Sequence, residues 1–217
     1  MIIPVYLMPG MAANPSIFEY LQLPADRFSM HFLTWKIPAP GEALKAYAAR
    51  MLQEVTHDNP ILIGVSFGGV LVQEMAKQIK CRKLVIISSV KTKYELPKRM
   101  RFSRKIGLYR IAPVSLVQQL DHLAKYALGS KFKERVELYQ KYLSISDPVY
   151  LSWALEKMLC WDQEKVPEDI IHIHGDADPV FPYKYINKCI TIEGGTHIMI
   201  ITKCKWFNEN LPELLEN

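Results

Sequence analysis

Short apolar runs bounded by turn residues alternate with longer amphipathic stretches along most of the chain. A strand buried on both faces of a parallel sheet lacks a polar face, whereas a covering helix repeats apolar residues every three or four positions. The apolar runs predict strands at 2–7, 28–35, 61–65, 83–89, 169–174 and 189–192. The amphipathic stretches predict helices at 42–57, 67–80 and 198–215. This order predicts an α/β fold with a mostly parallel sheet flanked by helices.

The interval from 91 to 166 interrupts this alternation. It is rich in helix formers and contains no convincing central strand. We interpret it as a helical insertion, a small cap that lies over one edge of the sheet. The chain shows no repeat, low-complexity tract or flexible linker. We therefore expect residues 1–217 to form a single domain that includes this cap.

The positive charge of the chain is concentrated in one segment. The formal net charge is +5, but the segment from Lys91 to Arg110 holds eight basic residues and one acidic residue. The rest of the chain is therefore slightly acidic. This basic cluster is either a solvated helical face or a cap surface that attracts an anionic substrate or an acidic membrane surface. It matches no nucleic-acid-binding motif, so we expect no nucleic-acid partner.

The cysteines and the hydropathy of the chain indicate the compartment in which the protein is located. The four cysteines, Cys81, Cys160, Cys189 and Cys204, form no CxxC pair, and we expect reduced, mostly buried thiols. No apolar run reaches the roughly 20 residues that span a bilayer. The N-terminal residues also lack the basic region and cleavage site of an export signal. The sequence thus predicts a cytoplasmic protein without a transmembrane segment.

A glycine-rich turn between a predicted strand and a predicted helix holds the candidate nucleophile. The segment GVSFGG occupies positions 64–69 and has Ser66 in its third position. A sharp strand-to-helix turn exposes a serine hydroxyl, and small flanking residues allow the neighbouring backbone to approach it. A phosphate-binding loop is disfavoured because neither GxxxxGK[ST] nor GxGxxG is present. We predict Ser66 as a nucleophile, with a plain packing turn as the alternative.

A serine nucleophile needs a histidine base that a carboxylate orients. Of six histidines, only His197 follows the last predicted strand, on a loop that begins with two glycines. We predict that His197 is the base. The segment after the strand at 169–174 offers Asp176 and Asp178 as candidate acids. Their spacing alone does not separate them.

The same segment contains a partial zinc-site pattern. His172, His174 and Asp176 are spaced like part of an HxHxDH motif, but Ala177 stands where a histidine ligand is required. We interpret His172 and His174 as packed or hydrogen-bonded strand residues. We expect neither a metal nor another cofactor.

These motifs resemble the α/β-hydrolase fold superfamily, whose catalytic residues follow the order serine, acid, histidine. Family members often carry G-x-S-x-G-G at the nucleophile, which matches positions 64–69. They also often carry H-G-x-x-D-x-x-x-P, which matches His174 to Pro182. The resemblance therefore selects Asp178 over Asp176 and implies a triad of Ser66, Asp178 and His197.

The resemblance also implies an oxyanion hole built from backbone N–H groups. The family usually has His-Gly-x after the strand that leads into this loop, whereas here Met8, Pro9, Gly10 and Met11 follow one another. The donors implied by the resemblance are the N–H groups of Phe67 and Met11. The segment 91–166 corresponds to the variable cap of the family. The chain begins almost directly on the strand before the oxyanion loop, so a short family member is expected.

The implied function is a serine hydrolase that cleaves an ester or thioester of a small, possibly anionic, substrate through an acyl-enzyme on Ser66. One alternative is a lyase or cofactor-free oxygenase that uses the same triad for proton transfer. Another is a member of the fold that binds a small molecule without turnover. The sequence leaves the substrate and the oligomeric state open.

Overall fold

Six parallel strands form one sheet in the computed structural model, which describes residues 2–107 and 141–216. In chain order they are β1 (Ile3–Met8), β2 (Phe28–Phe32), β3 (Ile61–Val65), β4 (Lys83–Ile87), β5 (Ile170–Gly175) and β6 (Ile190–Ile192). Their order across the sheet is β2-β1-β3-β4-β5-β6, and each neighbouring pair is parallel. The predicted α/β fold with a parallel sheet is confirmed. Because all six strands run in one direction, their carboxyl ends meet at one edge.

Helices cover both faces of this sheet. The described helices are α1 (Leu44–Met51), α2 (Phe67–Ala76), α3 (Lys98–Ile106), α4 (Pro148–Cys160), α5 (Met199–Thr202) and α6 (Cys204–Glu216). Short 3-10 helices lie at Pro15–Phe18, Leu52–Glu54, Lys93–Glu95 and Tyr183–Tyr185. On one face α1 and α2 pack against the sheet and α4 packs on α2, and on the other face α5 and α6 pack against the sheet.

The alternation of side chains along each strand divides the core into these two layers. In β1, Tyr6 and Met8 belong to the layer under α1 and α2, whereas Val5 and Leu7 belong to the layer under α6. All five residues of β3 are buried. A central strand covered on both faces therefore explains why the run at 61–65 has no polar position.

Three predicted elements are shorter or divided in the structure. Strand β2 ends at Phe32 rather than at 35, and the chain then turns so that the Trp35 indole donates to the Gly10 carbonyl at 2.8 Å. The predicted helix at 42–57 is helical only over Leu44–Met51, followed by one 3-10 turn. The predicted C-terminal helix is divided at Lys203 into α5 and α6.

The described part of the predicted cap contains α3 and α4 and no strand. Positions 108–140 of that insertion lie outside the described residues, so the single-domain organisation with a cap at 91–166 stays a prediction. The expectation of mostly buried cysteines is wrong, because all four thiols are unpaired but partly exposed. Among the residues that the structure describes, no helix is both long and apolar enough to cross a membrane.

Candidate active site

Ser66 lies at the sharp turn between β3 and α2, at the carboxyl edge of the sheet. Its backbone has φ 54° and ψ −121°, a conformation that L-residues rarely adopt. The Ser66 N–H donates to the Ile87 carbonyl at 2.9 Å. The Ser66 carbonyl accepts from the Gly69 N–H at 2.9 Å and from the Ser89 hydroxyl at 2.7 Å. These bonds hold a strained turn that costs of order 1–3 kcal/mol.

Close backbone contacts explain the glycines around Ser66. A Cβ at Gly64 would lie 2.3 Å from the Gly68 carbonyl oxygen, and a Cβ at Gly68 would lie 2.3 Å from the Pro9 carbonyl oxygen. A Cβ at Gly69 would lie 2.5 Å from the Ser89 hydroxyl oxygen. The glycines therefore let β3, α2 and the loop after β1 meet directly beneath the serine.

The loops after β5 and β6 bring Asp178 and His197 to Ser66. His197 Nε2 lies 2.9 Å from Ser66 Oγ, and His197 Nδ1 lies 2.9 Å from Asp178 Oδ2. A carboxylate only accepts, so Nδ1 carries the imidazole proton and Nε2 is left to accept from the serine hydroxyl. The three side chains predicted from the sequence thus form one hydrogen-bonded chain.

The structure separates the two candidate acids by their hydrogen bonds. Asp178 is 3% exposed, and its Oδ1 accepts from the backbone N–H groups of Val180 and Phe181 at 2.8 and 3.0 Å. Asp176 is exposed, and its Oδ1 accepts from the Gly194 N–H at 2.7 Å. Asp176 therefore joins the acid loop to the loop before His197, whereas Asp178 contacts the imidazole.

Electrostatics keep Asp178 ionised. Burial by itself would raise the pKa of its carboxyl group, but the electrostatic interaction with His197 and the hydrogen bond from its imidazole outweigh burial. The pKa of Asp178 consequently lies below its usual value. An ionised, buried carboxylate fixes the histidine tautomer and stabilises an imidazolium.

A buried histidine pair lies behind the acid. His172 Nε2 is 3.3 Å from His174 Nδ1, and His174 Nε2 is 2.9 Å from the Phe181 carbonyl and 3.6 Å from Asp178 Oδ2. The carbonyl only accepts, so His174 Nε2 carries a proton and His172 donates to His174 Nδ1. Phe181 in turn packs edge-on against the His197 ring, with centroids 5.4 Å apart. The pair therefore supports the residues that hold the imidazole.

Both imidazoles of this pair are neutral. Burial, His174 and Lys91 lower the pKa of His172 to about 2. Burial also lowers the pKa of His174, against the opposing effect of Asp178. The expectation that both histidines are packed and hydrogen-bonded agrees with these contacts. Among the described residues no group of three or more His, Cys, Asp or Glu side chains is arranged to hold a metal ion.

The loop after β1 lies against the serine. A Cβ at Gly10 would be 3.4 Å from Ser66 Cβ, and Met11 is the next residue. The loop is tied down by the bond from Trp35 to the Gly10 carbonyl and by the Ile145 N–H, which donates to the Ala12 carbonyl at 3.0 Å. Phe67 is the first residue of α2, directly after Ser66. Both predicted oxyanion donors therefore belong to segments that adjoin the serine, and their role stays a prediction.

Buried aromatic side chains form an apolar wall around Phe67, the residue after Ser66. The ring of Phe67 stacks on Trp35 at 5.2 Å and meets Trp153 edge-on at 6.0 Å. Tyr150 lies 5.2 Å from Trp35. Because Tyr150 and Trp153 come from α4, the cap contributes to this wall. The Tyr150 hydroxyl is buried and has no hydrogen-bond partner among the residues that the structure describes, and burial raises its pKa well above the usual value.

Three residues that support the site were not predicted to do so by the sequence analysis. Ser89 holds the turn at Ser66, His174 holds the acid loop, and Arg99 Nη2 donates to the carbonyls of Pro179 and Val180 at 3.0 and 3.2 Å. His174 was interpreted as a packed or hydrogen-bonded strand residue, although it is also the first residue of the motif in the acid loop. Ser89 and Arg99 act on backbone carbonyls of distant segments, and such contacts leave no local motif.

No protein-family model matches the chain. One curated relative is a poly(3-hydroxyalkanoate) depolymerase from Ectopseudomonas oleovorans, 23% identical over 235 aligned positions that cover 93% of this chain and 80% of the relative. At this identity the likeness is distant.

Solved structures with the same architecture cover nearly the whole chain. An esterase from Exiguobacterium antarcticum has a TM-score of 0.73 at 16% identity, covering 99% of this chain and 92% of its own. A hydrolase from Oleispira antarctica has a TM-score of 0.74 at 15% identity, and the match covers 99% of this chain and 91% of that hydrolase. A bromoperoxidase from Bacillus anthracis has a TM-score of 0.66 at 18% identity, and the match covers 100% of this chain and 93% of that bromoperoxidase. With its parallel sheet and the strand-to-helix turn at Ser66, this chain has the α/β-hydrolase fold.

Proposed function

We propose that the protein is a serine hydrolase that cleaves an ester or thioester of a small substrate through an acyl-enzyme on Ser66. The observation that carries the proposal is the hydrogen-bonded chain from Ser66 Oγ through His197 to Asp178, with both bonds at 2.9 Å. Unrelated hydrolases use the same constellation because it activates a weak nucleophile near neutral pH.

The first half of the proposed reaction forms the acyl-enzyme. Ser66 Oγ attacks the substrate carbonyl carbon while His197 Nε2 accepts the hydroxyl proton. Asp178 stabilises the resulting imidazolium, and the N–H groups of Phe67 and Met11 stabilise the oxyanion. The tetrahedral intermediate then collapses, the carbonyl–leaving-group bond breaks, and His197 returns its proton to the departing alcohol or thiol.

The second half releases the acid. His197 Nε2 takes a proton from water while the water oxygen attacks the acyl carbon. The intermediate then collapses, the bond between the acyl carbon and Ser66 Oγ breaks, and His197 returns its proton to Oγ. Oxyanion donors contribute in both halves, and the loss of one typically lowers turnover ~10²–10³-fold.

The apolar surroundings of Phe67, the residue after Ser66, favour an apolar acyl group. Phe67 packs against Trp35 and Trp153, without a charged side chain among the three. We propose that the cap at 91–166, part of one domain with the sheet, completes this acyl site through α4. The name of the curated relative supports testing 3-hydroxyacyl esters along with unsubstituted chains.

The deciding experiment compares Ser66→Ala with wild type on a panel of p-nitrophenyl esters and thioesters of different chain length, with 3-hydroxyacyl esters included. We expect Ser66→Ala to lower kcat/KM by at least ~10⁴-fold, because the remaining groups supply only residual catalysis. Ser152→Ala, an exposed serine on α4, is the matched control and should remain within two-fold of wild type.

Covalent labelling separates the hydrolase from the other functions that the triad supports. A fluorophosphonate should label Ser66 once per chain, and rapid mixing should show a burst of p-nitrophenol of about one equivalent. A lyase or cofactor-free oxygenase would convert its substrate without an acyl burst, and a binding protein would show no turnover. Full activity in Ser66→Ala would refute the proposal.

A further inference from the structure

The structure divides the basic cluster into residues with different partners. Lys91 is buried and pairs with Glu95, and Lys93 pairs with Asp162 and Glu164. Arg104 donates to Asp162 at 2.8 Å and to the Trp161 carbonyl at 3.2 Å. Arg99 bonds to the acid loop, as described above. Arg110 lies outside the described residues. These contacts account for four of the eight basic residues.

Lys98, Arg101 and Lys105 point away from the protein. They are exposed residues of α3, and no carboxylate in 2–107 or 141–216 forms an ion pair with them. Phe102 and Ile106, which are 62% and 52% exposed, share their face because positions 98, 101, 102, 105 and 106 follow the helical spacing i, i+3, i+4, i+7 and i+8. We call these five residues the α3 outer face.

We propose that the α3 outer face docks the protein on an anionic lipid surface. Lysine and arginine side chains interact with lipid headgroups, while the apolar side chains between them enter the boundary with the acyl chains. The face combines three cations and two large apolar side chains, with no acidic residue anywhere in α3. The charge of the face is therefore complementary to an anionic bilayer.

The size and shape of α3 favour a lipid surface over an acidic protein. None of its nine residues is buried, and within the described part of the chain its outer face is exposed to solvent. A nine-residue helix is about 14 Å long and about 10 Å wide, so its outer face offers on the order of 150 Å². A stable protein interface needs ~800 Å² from each partner. A few cations and apolar side chains are enough for weak, reversible binding to a bilayer.

Arg99 connects this face to the candidate active site. It lies on α3 and donates to the carbonyls of Pro179 and Val180, in the loop that holds Asp178. Docking through α3 therefore brings the carboxyl edge of the sheet close to the bilayer. This inference about the substrate rests on the proposed function. If the protein hydrolyses esters and docks on a bilayer, its substrates are apolar esters that partition into membranes.

The test is co-sedimentation of the full chain with vesicles of phosphatidylcholine alone or with 30% phosphatidylglycerol. We expect binding only to the anionic vesicles, and weaker binding as salt increases. Each cation near such a surface strengthens binding roughly five-fold, so Lys98→Gln/Arg101→Gln/Lys105→Gln should lower affinity by about two orders of magnitude. Phe102→Ser/Ile106→Ser should also weaken binding, since it removes the inserted side chains.

The matched control is Lys45→Gln/Lys80→Gln/Lys184→Gln, which removes three exposed lysines elsewhere and changes the net charge equally. It should bind like wild type. Equal loss in both triple variants, unchanged binding of the Phe102/Ile106 variant, or no binding to anionic vesicles would overturn the proposal. Binding to polyglutamate but not to vesicles would overturn it in favour of an acidic protein partner.

Hydrolysis of a soluble p-nitrophenyl ester in the absence of vesicles is measured for every variant. The α3 outer face makes no contact with the triad, so these rates should equal that of wild type. If the soluble activity is present and docking is absent, the docking proposal alone fails. If docking is present and Ser66→Ala retains full activity, the proposed function alone fails.

Discussion

At the scale of single residues, the structure distinguishes two aspartates that lie two positions apart. Asp178 is buried against His197, whereas Asp176 is exposed and bonds to the backbone of Gly194. Both leave β5 at the same edge, so their roles differ only through the direction of each side chain. Substitution by asparagine changes the charge of either residue by the same amount and nearly keeps its shape.

We expect Asp178→Asn to lower kcat by about 10⁴-fold, because an amide in this position favours the wrong histidine tautomer. Asp176→Asn should stay within a few-fold of wild type, since its side-chain oxygen can still accept from the Gly194 N–H. Steady-state kinetics with one soluble ester at pH 7.5 measure both. Equal losses in the two variants would contradict the assignment of the acid.

At the scale of secondary structure elements, β5 both completes the sheet and supplies the support for the acid. Its pairing with β4 places His172 opposite Ile86, in the interior of the molecule. A neutral, buried imidazole in that position makes folding sensitive to acid. Folded His172 remains unprotonated well below the pH at which the unfolded chain takes up the proton.

The stability of the protein should therefore fall as pH drops below about 6.5, the ordinary pKa of histidine in the unfolded chain. With a folded pKa of about 2, His172 alone should reduce the free energy of unfolding by about 2 kcal/mol between pH 7.5 and pH 5. Urea unfolding at pH 7.5 and at pH 5 measures the free energy of unfolding. In His172→Gln its decrease between the two pH values should be about 2 kcal/mol smaller than in wild type. His57→Gln, at an exposed position, is the control. An unchanged pH dependence in His172→Gln would contradict the prediction.

At the scale of the whole molecule, the start of the cap and the loop before β6 are joined by a buried ion pair. Lys91 and Glu95 are 3% and 2% exposed. Lys91 Nζ donates to the carbonyls of Asn187 and Lys188, and Glu95 accepts from the N–H groups of Lys91 and Asn187. Segments about 90 positions apart in the chain are therefore connected at one point.

Lys91→Met should lower the free energy of unfolding by about 3–5 kcal/mol, because it leaves the Glu95 carboxylate buried without a cation. Lys91→Met/Glu95→Gln should lose less, since it also removes the buried charge. Lys93→Met is the surface control, and it should lose much less stability because the carboxylates that Lys93 pairs with are exposed to solvent. Urea unfolding at pH 7 measures all three. If the double variant is less stable than Lys91→Met, the buried, unpaired Glu95 carboxylate is not the cause of the lost stability.

Much of the architecture was determined by the sequence alone. Buried strands and their covering helices produce regular apolar patterns, so the α/β fold and the locations of β1, β3, β4 and β5 were predictable. The turn at Ser66 and the position of His197 were also predictable, because each depends on glycines next to a strand end. The end of β2 and the break in the C-terminal helix at Lys203 were not predictable. The end of β2, for example, depends on the contact between Trp35 and Gly10.

Only the tertiary structure decided which polar groups meet. In the sequence Asp176 and Asp178 are equivalent by spacing, and the basic cluster is one uniform run of charge. Folding buries Lys91, directs Arg99 to the acid loop and leaves Lys98, Arg101 and Lys105 at the surface. The physical reason is that the local pattern determines on which face of its helix or strand a side chain lies. The group that this side chain contacts is determined by segments that are distant in the chain.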